Sequence, residues 1–142
     1  MYQLKRFIIK EFVPPTLWNA EGEQSIQHLD ERILETADQV REFFGVPVTI
    51  NNWGTTVDGQ FHWRGLRTSE YPDYRLTDPH VKGMAIDFDV AGKTAGDVRA
   101  TIIMNPKEFP YIYRMENNVN WVHVDMIGID IHPRESIYLF NA

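Results

Sequence analysis

The stretch Pro79-His80-Val81-Lys82-Gly83-Met84-Ala85-Ile86-Asp87-Phe88-Asp89 constrains the fold more than any other. Residues 84–90 alternate strictly, with Met84, Ile86, Phe88 and Val90 on one side and Ala85, Asp87 and Asp89 on the other. Side chains of a strand point alternately to its two faces, so this pattern predicts a half-buried strand with an apolar face and a chemical face. Gly83 permits a tight turn between His80 and the strand.

A second alternating segment, Asn120-Trp121-Val122-His123-Val124-Asp125-Met126, places Trp121, His123 and Asp125 on one face and Val122, Val124 and Met126 on the other. If the two strands are neighbours, His123 and Asp87 come within a few ångströms of each other. His80, Asp87 and His123 would then offer two imidazoles and a carboxylate, leaving one position for water. That is the donor set of an open catalytic zinc site.

The two segments together, His80-x-x-Gly83-x-Ala85-x-Asp87 and Trp121-Val122-His123-Val124-Asp125, resemble the zinc D-Ala-D-Ala carboxypeptidase family. That family includes vancomycin-resistance dipeptidases and phage L-alanyl-D-glutamate endopeptidases, and is structurally related to lysostaphin-like enzymes and the hedgehog signalling domain. The likeness is strong around the two motifs and looser over residues 30–79. It implies a small α+β domain with an antiparallel sheet and two or three helices, and zinc (Zn2+) held by His80, Asp87 and His123. It also implies hydrolysis of amide bonds in peptidoglycan stem peptides. In that family an arginine from the segment corresponding to Arg64-Gly65-Leu66-Arg67 contacts the substrate carboxylate. A planar guanidinium suits this bidentate task, and both Arg64 and Arg67 are candidates. Several members place a catalytic acid three residues before the last histidine, where this chain has Asn120. An amide cannot take a proton from water, so the general base falls to Glu116 or Asp125. Glu116 would be returned to the His123 strand by a hairpin. Asp125 would share the ligand face, as base or as a partner orienting a ligand.

With 142 residues, 43% of them apolar, the chain encloses one core and has no room for a second substantial domain. A net charge of −6 lacks the basic patch of a nucleic-acid surface. The absence of cysteine excludes disulfides and thiolate ligands. No run approaches a membrane span, and Phe7-Ile8-Ile9 is broken too early for a signal peptide. The expectation is a protein made in the cytoplasm that acts at the bacterial cell wall, as a phage lysis or virion enzyme would. The alternative is a non-catalytic phage structural or peptide-binding protein that keeps the fold, a reading favoured by Asn120.

The remaining elements follow from periodicity. Tyr2–Phe12 reads as a strand or extended arm, ended by Pro14-Pro15. Ile26, Leu29, Ile33, Ala37, Val40 and Phe44 form one apolar stripe, predicting a helix over 25–44 capped by Ser25 and stopped at Gly45. Val46–Asn51 is a short strand, and residues 52–79 a long aromatic loop. Thr94 starts a helix running to Met104, before Pro106. Phe109–Met115 is a strand turned by Asn117-Asn118 into the His123 strand, and Ser136–Phe140 a last strand.

Overall fold

The structure is a computed structural model and describes residues 1–54 and 59–142. The part of the long loop at 55–58 lies outside the described residues. Among the described residues five short strands form one sheet: β1 (Val48–Thr49), β2 (Ala85–Val90), β3 (Arg114–Glu116), β4 (Val122–Asp125) and β5 (Tyr138–Phe140). Their spatial order is β1-β2-β4-β3-β5. Among the described residues three α-helices, α1 (Pro15–Glu21), α2 (Glu31–Phe44) and α3 (Ala95–Met104), complete a small α+β domain.

The alternation in β2 and β4 sorts the sheet into two faces. Ile86, Phe88 and Val90 of β2 and Val122 and Val124 of β4 are buried in one core with Ile33, Leu34, Ala37 and Val40 of α2 and Val98 and Ile102 of α3. The opposite face carries Asp87, His123 and Asp125 beneath the segment from Phe61 to Gly83. β2 and β4 run antiparallel with Asp87 paired to His123 and Ala85 to Asp125.

The sheet is mixed rather than wholly antiparallel. β5 joins the edge of β3 in parallel, because the chain leaves β4, crosses back through residues 127–137 and returns in the direction of β3. A parallel neighbour needs such a long connection. Arg32 of α2 holds this crossover through ion pairs of 2.8 Å to Asp130 and to its own cap Asp30.

Other boundaries also differ from the sequence expectation: the strand expected over Phe109–Met115 is confined to Arg114–Glu116, and that over Val46–Asn51 to Val48–Thr49. The long helix begins at Glu31, not near Ser25. Asp30 is the cap, accepting from the Arg32 amide, while residues Gly22–His28 form a 3-10 turn with Ser25 bonded back to Gly22. The N-terminal segment forms no strand. The carboxylate of Asp38 accepts from the Tyr2 hydroxyl and the amides of Lys5 and Arg6, and Ile9–Phe12 is a 3-10 turn. Pro15, at a first helical position where no amide is needed, opens α1.

Gly83 connects the helical layer to the site. Its φ is +70°, and a Cβ there would lie 2.2 Å from the His28 carbonyl oxygen. Its own carbonyl accepts from the Asp30 amide at 2.9 Å, tying the cap of α2 to the turn that carries His80. Gly83→Ala should therefore destabilise the protein by at least about 1–2 kcal/mol, the cost of the left-handed region alone. Gly96→Ala, in α3 with open space around its Cβ, should be neutral or stabilise by up to about 1 kcal/mol. Urea unfolding midpoints measure both, and equal effects would contradict the close approach at Gly83.

Candidate metal centre

Asp87 is fixed first. β2 runs through the middle of the sheet, and the Asp87 amide donates 2.7 Å to the Arg64 carbonyl of the overlying segment. The Asp87 side chain is 9% exposed. His123, directly opposite on β4, brings Nδ1 to 2.8 Å from Asp87 Oδ1. His80 arrives from the Asp78–Gly83 turn and brings Nε2 to 3.1 Å from the same oxygen and 3.3 Å from His123 Nδ1. Three donor atoms thus converge in a buried spot, all within 4.8 Å of one another.

The far side of each ring fixes which nitrogen faces this point. His80 Nδ1 lies 2.8 Å from the Gly65 carbonyl, which can only accept, so that nitrogen carries a proton and leaves the Nε2 lone pair free in the neutral ring. His123 Nε2 lies 2.8 Å from Asp125 Oδ2, which orients its Nδ1 in the same way. Both rings are held as metal-ligating histidines usually are, by a carbonyl or carboxylate on the opposite nitrogen. Donors on a tetrahedral zinc sit roughly 3.3–3.6 Å apart, given ligand distances of about 2.0–2.2 Å. The observed 2.8–3.3 Å separations need only a small expansion to accept an ion. The two imidazoles and one carboxylate therefore fit zinc, and other borderline divalent cations share this donor preference.

Asp125 is fully buried, and all its acceptor directions are used. Arg114 grips it with Nε and Nη2, each at 2.9 Å, the Ile127 amide donates to Oδ1 at 3.0 Å, and His123 takes Oδ2. Arg114 is itself stacked over the Phe140 ring at 4.3 Å. Asp125 thus orients His123 and has no free oxygen to offer water.

Burial works against ionised Asp87, but the charge of His80 and hydrogen bonds from both histidines outweigh it and hold the carboxyl well below the usual range. Burial likewise opposes a charged His123. Its hydrogen bonds to Asp125 and Asp87 prevail and push its pKa up to about 9. Metal-free, this protonated His123 stabilises the fold fully below its ordinary value near 6.5, and the contribution disappears as pH rises through about 9.

The two arginines expected to meet substrate are placed differently. Arg64 does not line the cleft. Its Nη1 reaches Asp89 at 2.9 Å and the Thr49 carbonyl at 3.3 Å, over the Phe61 ring. Arg67 lines the cleft but is engaged at every nitrogen: Nε with the Trp63 carbonyl, Nη1 with Asp78 at 2.8 Å and Nη2 with Asp87 Oδ2 at 3.5 Å. Asp78 in turn accepts from the His80 amide at 2.9 Å, so Arg67 and Asp78 brace two of the three donors. Asp78, Gly65 and Arg114 were not singled out from the sequence as site residues. Only the Asp-Pro-His turn and the alternation of Arg114 against Asp125 across the hairpin point to them.

The centre opens on a cleft of about 440 Å³, lined among others by Tyr71, Arg75, Glu116, Trp121 and Phe140. β3 and β4 pair Met115 with Val124, and one step further along that register sets Glu116 beside His123. Neighbours of this kind have Cβ atoms about 4.5–5.5 Å apart. Among the described residues Glu116 has no side-chain partner, whereas the cleft acids Asp73, Asp78 and Asp87 are all paired. Asn120 is exposed and lines a separate pocket with Lys93, Thr94 and Gly96, away from the cleft.

No protein-family model matches the chain, and neither a curated protein nor a solved structure is significantly similar to it.

His123→Ala should abolish stoichiometric zinc after dialysis. Asp125→Asn should weaken zinc binding by about 10–100-fold, the usual effect of losing a partner that orients a ligand. Zinc must displace the His123 proton, so affinity in the native protein should rise about tenfold per pH unit up to about pH 9. Chelator competition across pH 6–9 reads this, and a pH-independent affinity would contradict the protonation described.

Proposed function

We propose that the protein is a zinc-dependent peptidase of the D-Ala-D-Ala carboxypeptidase type, hydrolysing amide bonds in the stem peptides of peptidoglycan. The observation that carries this reading is the convergence of His80, Asp87 and His123 at the floor of an open cleft that also holds an unpaired carboxylate, Glu116. A metal kept only for structure would be enclosed by four protein ligands, whereas three ligands facing a cleft leave a position for chemistry.

Bound to the three donors, zinc would supply Lewis acidity, making water more acidic and a substrate carbonyl more electrophilic. Glu116, beside His123 and free of partners, takes the proton of the attacking water. As the water oxygen bonds to the carbonyl carbon and the C–N bond breaks, the same carboxyl returns the proton to the departing nitrogen. Asp125 and the Gly65 carbonyl keep the imidazoles in register, and Arg67 steadies Asp87. Trp121 and Phe140 line the cleft beside the centre and limit water there.

The fold relationship to the hedgehog and lysostaphin-type domains belongs to the same proposal. It is supported by the order of the motifs and by their meeting on adjacent antiparallel strands. Action at the cell wall, as a phage lysis or virion enzyme, follows from the substrate. No helix among the described residues is long and apolar enough to cross a membrane.

Incubating zinc-loaded protein with purified peptidoglycan should release new amino groups. Glu116→Gln should keep zinc and lose about 10²-fold or more in turnover, the scale of losing a general base. A zinc-loaded wild type that releases nothing from several wall chemotypes would replace the peptidase with a peptide-binding protein on the same fold.

A further inference from the structure

A surface helix normally turns an apolar stripe to the core and a polar face to water. α3 has no such polar face. Val98 and Ile102 lie in the core, and the one cation of the helix, Arg99, is turned inward, where Nη1 donates to the Trp121 carbonyl at 3.0 Å. Gly96, Ala100, Ile103 and Met104 are left outside. Their spacing of three and four residues puts them on one face of the helix. Ile103 is 40% exposed and Met104 79%. Among the described residues nothing lies within 4 Å of a Cβ added at Gly96. A single exposed apolar side chain needs no explanation, but a whole helix face without a polar group marks a contact surface.

The charges at the two ends of this face decide what fits it. Exposed Lys93 and Asp97 stand at the N-terminal end, and exposed Lys107 and Glu108 just beyond the C-terminal end. When a second copy of α3 is laid antiparallel on the first, Asp97 of each copy meets Lys107 of the other, and Lys93 meets Glu108. The helix dipoles oppose favourably as well. A parallel arrangement would instead set Asp97 against Asp97 and Lys107 against Lys107. Gly96 and Ala100 let the two backbones approach to about 8 Å, the short end of the range for packed helices.

We propose that the outward face of α3 is a dimer interface that binds α3 of a second copy of this chain in antiparallel register. Two helices of about 15 Å bury less than the roughly 1,200–2,000 Å² of a durable interface, so the association is reversible and micromolar. α3 covers the apolar face of the sheet, opposite the metal centre, so pairing leaves both clefts open. The proposal is independent of the peptidase reading.

Sedimentation velocity on the full-length protein, from about 1 to 300 μM, reads the association directly. Wild type should pass from monomer to dimer across this range, and no further. Ala100→Glu, at an exposed helical position, should weaken dimerisation by about tenfold or more while the unfolding midpoint and zinc content hold. Asp97→Lys and Lys107→Asp should each stay monomeric alone, because each sets like charges against one another at both ends. Mixed in equal amounts they should associate, since every facing pair is then opposite in sign. A fold damaged by either substitution could not be rescued in this way. A wild type that is monomeric throughout overturns the pairing and leaves the face to a different protein. A dimer indifferent to Ala100→Glu, or two charge variants that fail to associate when mixed, overturns this face or this register.

Discussion

A buried carboxylate between two imidazoles sets the terms for the rest of the molecule. Asp87 lies in a central strand, where an ionised group without partners would be severely destabilising. Its oxygens instead meet His80, His123 and, more distantly, Arg67. Removing one partner of such a group typically costs about 3–5 kcal/mol, because a charge is left uncompensated. Replacing the whole set by apolar side chains of similar volume would often be neutral or better. A folded core therefore has no need of this cluster, and its presence directs attention to chemistry.

The two faces of the sheet divide the work. α2 and α3 cover the apolar face and supply the core. The chemical face is roofed by a segment whose backbone, more than its side chains, builds the site: the Arg64 carbonyl takes the Asp87 amide, the Gly65 carbonyl takes His80 Nδ1, and the Arg67 amide donates to the His80 carbonyl. Gly65 lets the same segment pack against the N-terminal turn, since a Cβ there would sit 2.3 Å from the Phe12 carbonyl oxygen. The arginines then fall into distinct duties. Arg64 braces β1 and β2, Arg67 and Arg114 neutralise acids of the site, and Arg75 pairs with the exposed Asp73 at the rim.

The donor group was legible because its geometry is local. His80 and Asp87 are joined by one glycine turn, and period-two alternation put Asp87 and His123 each on the chemical face of its strand, while the adjacency of the two strands, a condition in the sequence, comes from their pairing. The helix at Thr94 was legible too, since cap and first turn are explicit in the sequence and Thr94 accepts from the Asp97 amide. Where alternatives were equally spaced, the sequence could not choose. Ile26 and Leu29 continue the stripe of α2 because a 3-10 turn, with three residues per turn, mimics helical spacing, so the helix start moved from Ser25 to Asp30. Arg64 and Arg67 are separated only by which partner each finds, and those partners, Asp89 and Asp78, are long-range. The parallel seat of β5 depends on how the crossover packs, which no local pattern encodes.

Absorption spectroscopy at the zinc edge of stoichiometrically loaded protein tests the centre most directly. Two imidazole nitrogens and one carboxylate oxygen on the ion, at roughly 2.0–2.2 Å, with a further light atom that changes when an amide-hydrolysis inhibitor is added, are the expected result. A shell with fewer than two imidazoles, or one closed by four protein ligands and indifferent to inhibitor, would contradict a catalytic centre at His80, Asp87 and His123.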